Sequence, residues 1–164
     1  MHLPMKQESI RAMHSIRARK ASAADMEAVL ALYRELRPDD PAIDAEALPS
    51  LWRDVAEGEW SSVLVAEIEG EIAATCMLAT LANLASGGRR IGVIEHVITA
   101  NRFRRRGAGR MVLELALSQA WDAGCCKVML LSGAQRAEAR RVYEAIGFRG
   151  DVERGYVIKR PTAA

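Results

Sequence analysis

Between an apolar run, Ile91–Thr99, and a long amphipathic stretch that opens near Gly107 stands the segment Arg104-Arg105-Arg106-Gly107-Ala108-Gly109-Arg110. A β-branched run, a glycine turn and then a helical period make a strand–loop–helix unit. Such a unit buries both of its elements only in a layered α/β arrangement. Glycine at 107 and 109 lets the backbone approach a ligand closely. The first N–H groups of the following helix have no intrahelical acceptor, and the helix dipole adds partial positive charge there. Together these features form a cradle suited to pyrophosphate, with arginines to supply further charge.

The rest of the chain agrees with a layered fold. Ser15-Ile16-Arg17-Ala18 is a candidate first strand. Ser22 followed by Asp25 resembles a helix cap, and Met26, Val29, Leu30, Tyr33 and Leu36 recur at helical spacing until Pro38. Leu48, Leu51, Trp52 and Val55 form a second stripe, in which Pro49 is tolerated only if the helix begins near it. Strands are expected over Ser62–Ile68 and Glu71–Leu81, joined by a tight Glu69-Gly70 turn. The long helix runs from about Gly107 to Ala123, and Cys126–Leu131 follows as a buried strand. Ala139, Val142, Tyr143 and Ile146 form the inner stripe of a closing helix, which Gly147 ends with Phe148 placed for a cap contact. Tyr156–Lys159 is a candidate last strand. The expected order is β-α-α-β-β-β-α-β-α-β, with 1–14 a polar extension and 15–164 a single domain.

Other occupants of the glycine loop fit less well. A P-loop ends in Gly-Lys-Ser/Thr, whereas Gly109 is followed by Arg110 and Met111. A dinucleotide fold needs a third glycine where Val112 stands. A nucleic-acid surface built on Arg102, Arg104, Arg105, Arg106 and Arg110 has only Phe103 interleaved for base stacking. The 23 basic and 21 acidic residues leave a net charge of only +2, so neither nucleic acid nor a membrane surface is an expected partner. Cys76, Cys125 and Cys126 offer no disulfide framework and no metal-ligand spacing; a reducing, cytoplasmic location and no metal are expected.

The loop resembles, residue for residue, the R/Q-x-x-G-x-G/A pyrophosphate loop of the GNAT acetyltransferases. Upstream, Ile94-Glu95-His96-Val97-Ile98-Thr99 stands where that family carries its central acetyl-CoA strand. Downstream, Arg140-Arg141-Val142-Tyr143-Glu144-Ala145-Ile146-Gly147-Phe148 resembles the family's closing signature, F/L-Y-E-x-x-G-F. The resemblance implies an α/β GNAT fold: a mixed, mostly antiparallel central sheet, splayed at the acetyl-CoA strand, with helices on both faces. It implies transfer of an acetyl group from acetyl-CoA to an amine in a ternary complex, and a homodimer. The pantetheine arm would pair with backbone of Val97, Ile98 and Thr99. The pyrophosphate would rest on Arg104, Arg105, Arg106, Gly107, Ala108, Gly109 and Arg110. Arg136 stands where many members have asparagine, and Asn101 where many have proline.

Acetyl transfer needs a free-base amine, stabilisation of charge at the thioester oxygen and a proton for the leaving thiolate. Glu95 is an acid within an apolar run, where burial would raise its pKa and make it the base. His96 points to the other face of a regular strand, so only one of the pair can face the amine unless a bulge intervenes. Tyr143 stands at the family's general-acid position. With a thiol near ~8.5 and a phenol near ~10, its expected part is a hydrogen bond to the developing thiolate. A backbone N–H near Val97 would hold the thioester oxygen.

The acceptor is less legible. Ile94-Glu95-His96-Val97 is similar to the I-E-x-V-V of the glucosamine-phosphate, small-molecule branch. The Asn83–Arg90 loop ends in two arginines suited to an anionic substrate. Trp60, just before a strand, is a candidate wall of the acceptor pocket, whereas Trp52 belongs to a core stripe. A protein or peptide amine, and an acyl-CoA sensor without turnover, are the alternatives.

Overall fold

A computed structural model describes residues 16–133 and 136–161, so the 1–14 extension and Ser15 lie outside the described residues. The chain divides between Leu130 and Leu131 into two compact units.

In the first unit, β1 (Ile16–Lys20) leads through a short 3-10 turn into α1 (Met26–Leu36) and then α2 (Leu48–Ala56). The strands β2 (Ser61–Ile68), β3 (Glu71–Leu81) and β4 (Arg90–Thr99) follow, and α3 (Ala108–Asp122) leads to β5 (Cys125–Leu130). The expected cap is present: the Ser22 N–H donates to Asp25 Oδ2 at 2.7 Å. Pro49 occupies the first turn of α2, where its missing N–H has no helical acceptor to lose.

The sheet runs β1-β2-β3-β4-β5; β4 and β5 are parallel and the other neighbours antiparallel. Strand alternation gives it two apolar faces. Val63 and Val65 pack with Val29, Trp52 and Ala56 beneath α1 and α2. Leu64 is registered with Cys76, whose Sγ lies 3.8 Å from the Val112 carbonyl oxygen of α3. Helices therefore cover both faces, as the resemblance implies. At the turn into α1, Arg19 grips Asp25 with both terminal nitrogens, at 2.6 and 2.8 Å, and its Nε donates to Glu67 at 2.8 Å. Among the described residues, no helix is long and apolar enough to cross a membrane.

The second unit holds α4 (Ala137–Ile146). Ala139, Tyr143 and Ile146 are half-buried, whereas Val142 is exposed, so the inner stripe is narrower than expected. Gly147, at φ 108, lets the helix end in a Schellman turn: the Phe148 N–H donates to the Tyr143 carbonyl at 3.0 Å. The Tyr143 and Phe148 rings meet edge to face, 6.1 Å apart, which is the expected cap contact. The strand expected over Tyr156–Lys159 is not formed, and Tyr156, Val157 and Ile158 are 86, 68 and 96% exposed. A β-branched run records a preference for extended backbone; a strand also needs a neighbouring edge to take its hydrogen bonds.

Candidate functional site

The central strand is irregular where the sequence places its chemistry. β3 and β4 pair evenly from Leu81↔Ile91 to Met77↔Glu95 and resume at Thr75↔Ile98. His96 and Val97 thus stand opposite Cys76 alone, and His96 takes φ 53. This is a β-bulge, and a left-handed residue inside a strand costs roughly 1–3 kcal/mol. Histidine tolerates that region better than β-branched residues do.

The bulge changes which side chains share a face. Met77 is registered with both Val63 and Glu95, so Glu95 lies on the face covered by α1 and α2. His96 lies on the same side, its ring 5.2 Å from that of Tyr33 in α1. The expectation of opposite faces, which holds for a regular strand, is therefore corrected. Glu95 and His96 are both half-buried. Burial pushes the Tyr33 hydroxyl up to about 12, so it stays a neutral phenol at ordinary pH. The helical spacing marks Tyr33 only as part of a core stripe, because a pairing between residues so distant along the chain leaves no local pattern.

The same strand separates from its parallel neighbour. Pairing of β4 with β5 runs from Arg90↔Cys125 to Ile94↔Leu130 and stops there. Glu95–Thr99 continue with no β5 partner, which is the expected splay, and their backbone groups on that edge are available to an extended chain of amides.

Beyond Thr99 the chain turns into the glycine loop. Arg105 and Gly107 take φ 61 and 93. The first α3 bond runs from the Met111 N–H to the Gly107 carbonyl at 3.1 Å, so the Ala108, Gly109 and Arg110 amides precede any intrahelical acceptor. At Gly109 a Cβ would stand 2.7 Å from Thr99 Oγ1, so glycine lets the helix start approach the strand end with the Thr99 side chain in place. A cradle whose amides have no helical acceptor, with the Gly109 side chain missing, fits a pyrophosphate.

The arginines divide their tasks. Arg102 bonds Glu71, Arg106 donates to Glu69 at 2.9 Å, and Arg110 donates to Glu114 at 2.7 Å. Arg104 is exposed, and no ion pair involves it among the described residues.

Other candidates lie elsewhere. Trp52 is core, as expected, whereas Trp60 is exposed with the Arg90 guanidinium 3.7 Å above its ring. Arg89 Nε donates to the Ser86 carbonyl of its own loop at 2.9 Å. Both arginines expected to meet an anionic substrate thus have local contacts. Arg136 immediately precedes α4, its N–H donating to the Gly133 carbonyl at 3.1 Å. Among the described residues, no group of three His, Cys, Asp or Glu could hold a metal ion.

Residues 29–148 match the acetyltransferase (GNAT) family. The chain belongs to that family. This GNAT chain is 32% identical to the "Probable glucosamine 6-phosphate N-acetyltransferase 2" of Oryza sativa subsp. japonica over 147 residues, 86% of this chain and 84% of the relative. The "Putative acetyltransferase from Agrobacterium tumefaciens str. C58" superposes with a TM-score of 0.80 at 31% identity, covering 88% of this chain and 99% of that one. Glucosamine-6-phosphate N-acetyltransferase from Arabidopsis thaliana shares the fold, with a TM-score of 0.75 at 22% identity over 90% of this chain and 99% of its own. As a GNAT enzyme, the chain is an acetyl-CoA-dependent N-acetyltransferase.

Proposed function

We propose that the enzyme, with 15–164 acting as one domain, acetylates the primary amine of a small molecule by direct transfer from acetyl-CoA. The observation that carries this reading is the interrupted central strand. The bulge at His96 turns Glu95 and His96 to one face, the pairing with β5 ends at Ile94, and the glycine cradle follows at once. The rice relative, whose name specifies an amino-sugar phosphate, supports the small-molecule class.

In this reading Val97, Ile98 and Thr99 pair through their backbone with the pantetheine amides. The amides from Arg105 to Arg110 hold the pyrophosphate, and Arg104 adds charge. Glu95 takes the proton of the attacking amine. As the C–N bond forms and the C–S bond breaks, the Val97 N–H carries the charge at the thioester oxygen. The role of Tyr143, a hydrogen bond to the departing thiolate, rests on the family signature alone. A homodimer belongs to the reading by resemblance, and exposed Tyr156, Val157 and Ile158 are the kind of apolar surface that a second copy covers. A cytoplasmic location belongs to it as well.

The test is release of CoA thiol in the presence of sugar phosphates, polyamines, aminoglycosides, amino acids and short peptides, followed with a disulfide reagent. Cys76 will stay silent, because burial pushes its thiol up to about 12. Release with one small-molecule class is the expected result. Glu95→Gln should lose about 100-fold or more in turnover with acetyl-CoA binding unchanged, and Tyr143→Phe about tenfold. Turnover of peptides alone would move the enzyme to the protein-acetylating class. A protein that fails to bind acetyl-CoA would refute the site.

A further inference from the structure

The arginines beside the glycine cradle point to a positioning device that the cofactor reading does not require. Glu69 and Glu71 flank Gly70 in the β2–β3 turn, and each takes a guanidinium from the loop: Glu69 from Arg106 at 2.9 Å, Glu71 from Arg102. The two guanidiniums also stack on one ring, Arg102 at 4.7 Å and Arg106 at 5.5 Å from the Phe103 centroid. Phe103 is buried, so the ring they grip is fixed in the core. The root of the loop is tied as well: the Ala100 N–H donates to the Ala73 carbonyl at 2.9 Å and the Asn101 N–H to Glu35 at 2.8 Å.

The loop gripped in this way carries φ 61 at Arg105, backbone that a residue other than glycine seldom holds. We infer that Glu69 and Glu71, acting through Arg106 and Arg102, clamp the loop in its anion-binding shape before the cofactor arrives, and that Arg104 is the side chain left to meet its phosphates. This rests on the glycine loop being the cofactor cradle. It assigns the Arg102 and Arg106 side chains to positioning, with Arg106 contributing to the cradle only through its backbone. Preorganisation of this kind raises affinity by removing the ordering cost at the moment of binding.

The pairs are exposed and individually weak, so the test removes both and reads a sign as well as a size. Acetyl-CoA dissociation constants are measured for the wild type, Glu69→Gln/Glu71→Gln, Arg106→Glu, the swap Glu69→Arg/Arg106→Glu, and Arg104→Gln. Amide exchange at Gly107–Gly109 is followed in the same proteins without ligand. The clamp predicts that the double Glu→Gln variant binds about three- to tenfold more weakly, with faster loop exchange. The swap should return binding to within about twofold of wild type, and Arg104→Gln should reduce the salt dependence of binding. Tighter binding by the Glu→Gln variant would overturn the clamp, because the carboxylates would then merely compete with phosphates for the arginines. A swap no better than Arg106→Glu alone would overturn it too, by placing Arg106 directly on the phosphate. Failure of the wild type to bind acetyl-CoA would refute the cradle itself, and unchanged exchange in the Glu→Gln variant would refute the clamp separately.

Discussion

Gly109 shows how a single residue defines the cradle. Its would-be Cβ falls 2.7 Å from Thr99 Oγ1, so in Gly109→Ala either the Thr99 side chain or the start of α3 must shift. We predict about tenfold or weaker acetyl-CoA binding for Gly109→Ala, with partial recovery in Gly109→Ala/Thr99→Ala, read by calorimetric titration. Recovery would show that the obstruction is the Thr99 side chain; none would mean that the added methyl stands in the way of the cofactor itself. At this scale the sequence was informative, because the glycine loop, Glu95 and Tyr143 stand in a spaced pattern. The contact between Tyr33 and His96 was not legible, since the bulge that creates it is a pairing irregularity between two strands.

Elements were read well wherever they satisfy their own backbone. α1 follows its apolar stripe, α2 and α4 follow theirs apart from exposed Leu51 and Val142, and the caps at Ser22 and Gly147 are local chemistry. The missing Tyr156–Lys159 strand depended on a partner that the sequence does not specify. The start of α1 also carries a measurable ion network. The Arg19 guanidinium bonded to Asp25, helped by the Ser22 N–H, holds the Asp25 carboxyl down at about 2, despite the opposing effect of burial. Its unfolded value is near ~3.9, so the stabilisation is complete above that pH and is lost as pH falls through about 2. Discounted for the partial exposure of Arg19, it amounts to about 1–2 kcal/mol. Urea unfolding between pH 5 and pH 2 should show this loss in the wild type, and Asp25→Asn should flatten that part of the curve.

For the whole molecule, binding and folding are linked. A cradle formed only in the native state ties acetyl-CoA affinity to stability: at one hundred times the dissociation constant, acetyl-CoA should add about 2.7 kcal/mol. That corresponds to a rise in melting temperature of about 5–10 °C for a protein of this size, measurable by scanning calorimetry. The clamp variants should keep the unliganded melting temperature within about 2 °C and lose part of the ligand-induced rise, because exposed ion pairs contribute little to global stability.

The sequence by itself determined the order of the elements as far as α4, the mixed α/β layers, the family and the position of the phosphate loop. All of these follow from periodicity and from residues near one another in the chain. Only the tertiary structure decided that Glu95 and His96 share a face, that β4 parts from β5 after Ile94, and that Arg102 and Arg106 belong to carboxylates in the β2–β3 turn. The reason is physical: strand register and ion pairing across elements depend on which backbone edges and charges the packed sheet brings together, and a linear pattern specifies those only through the fold.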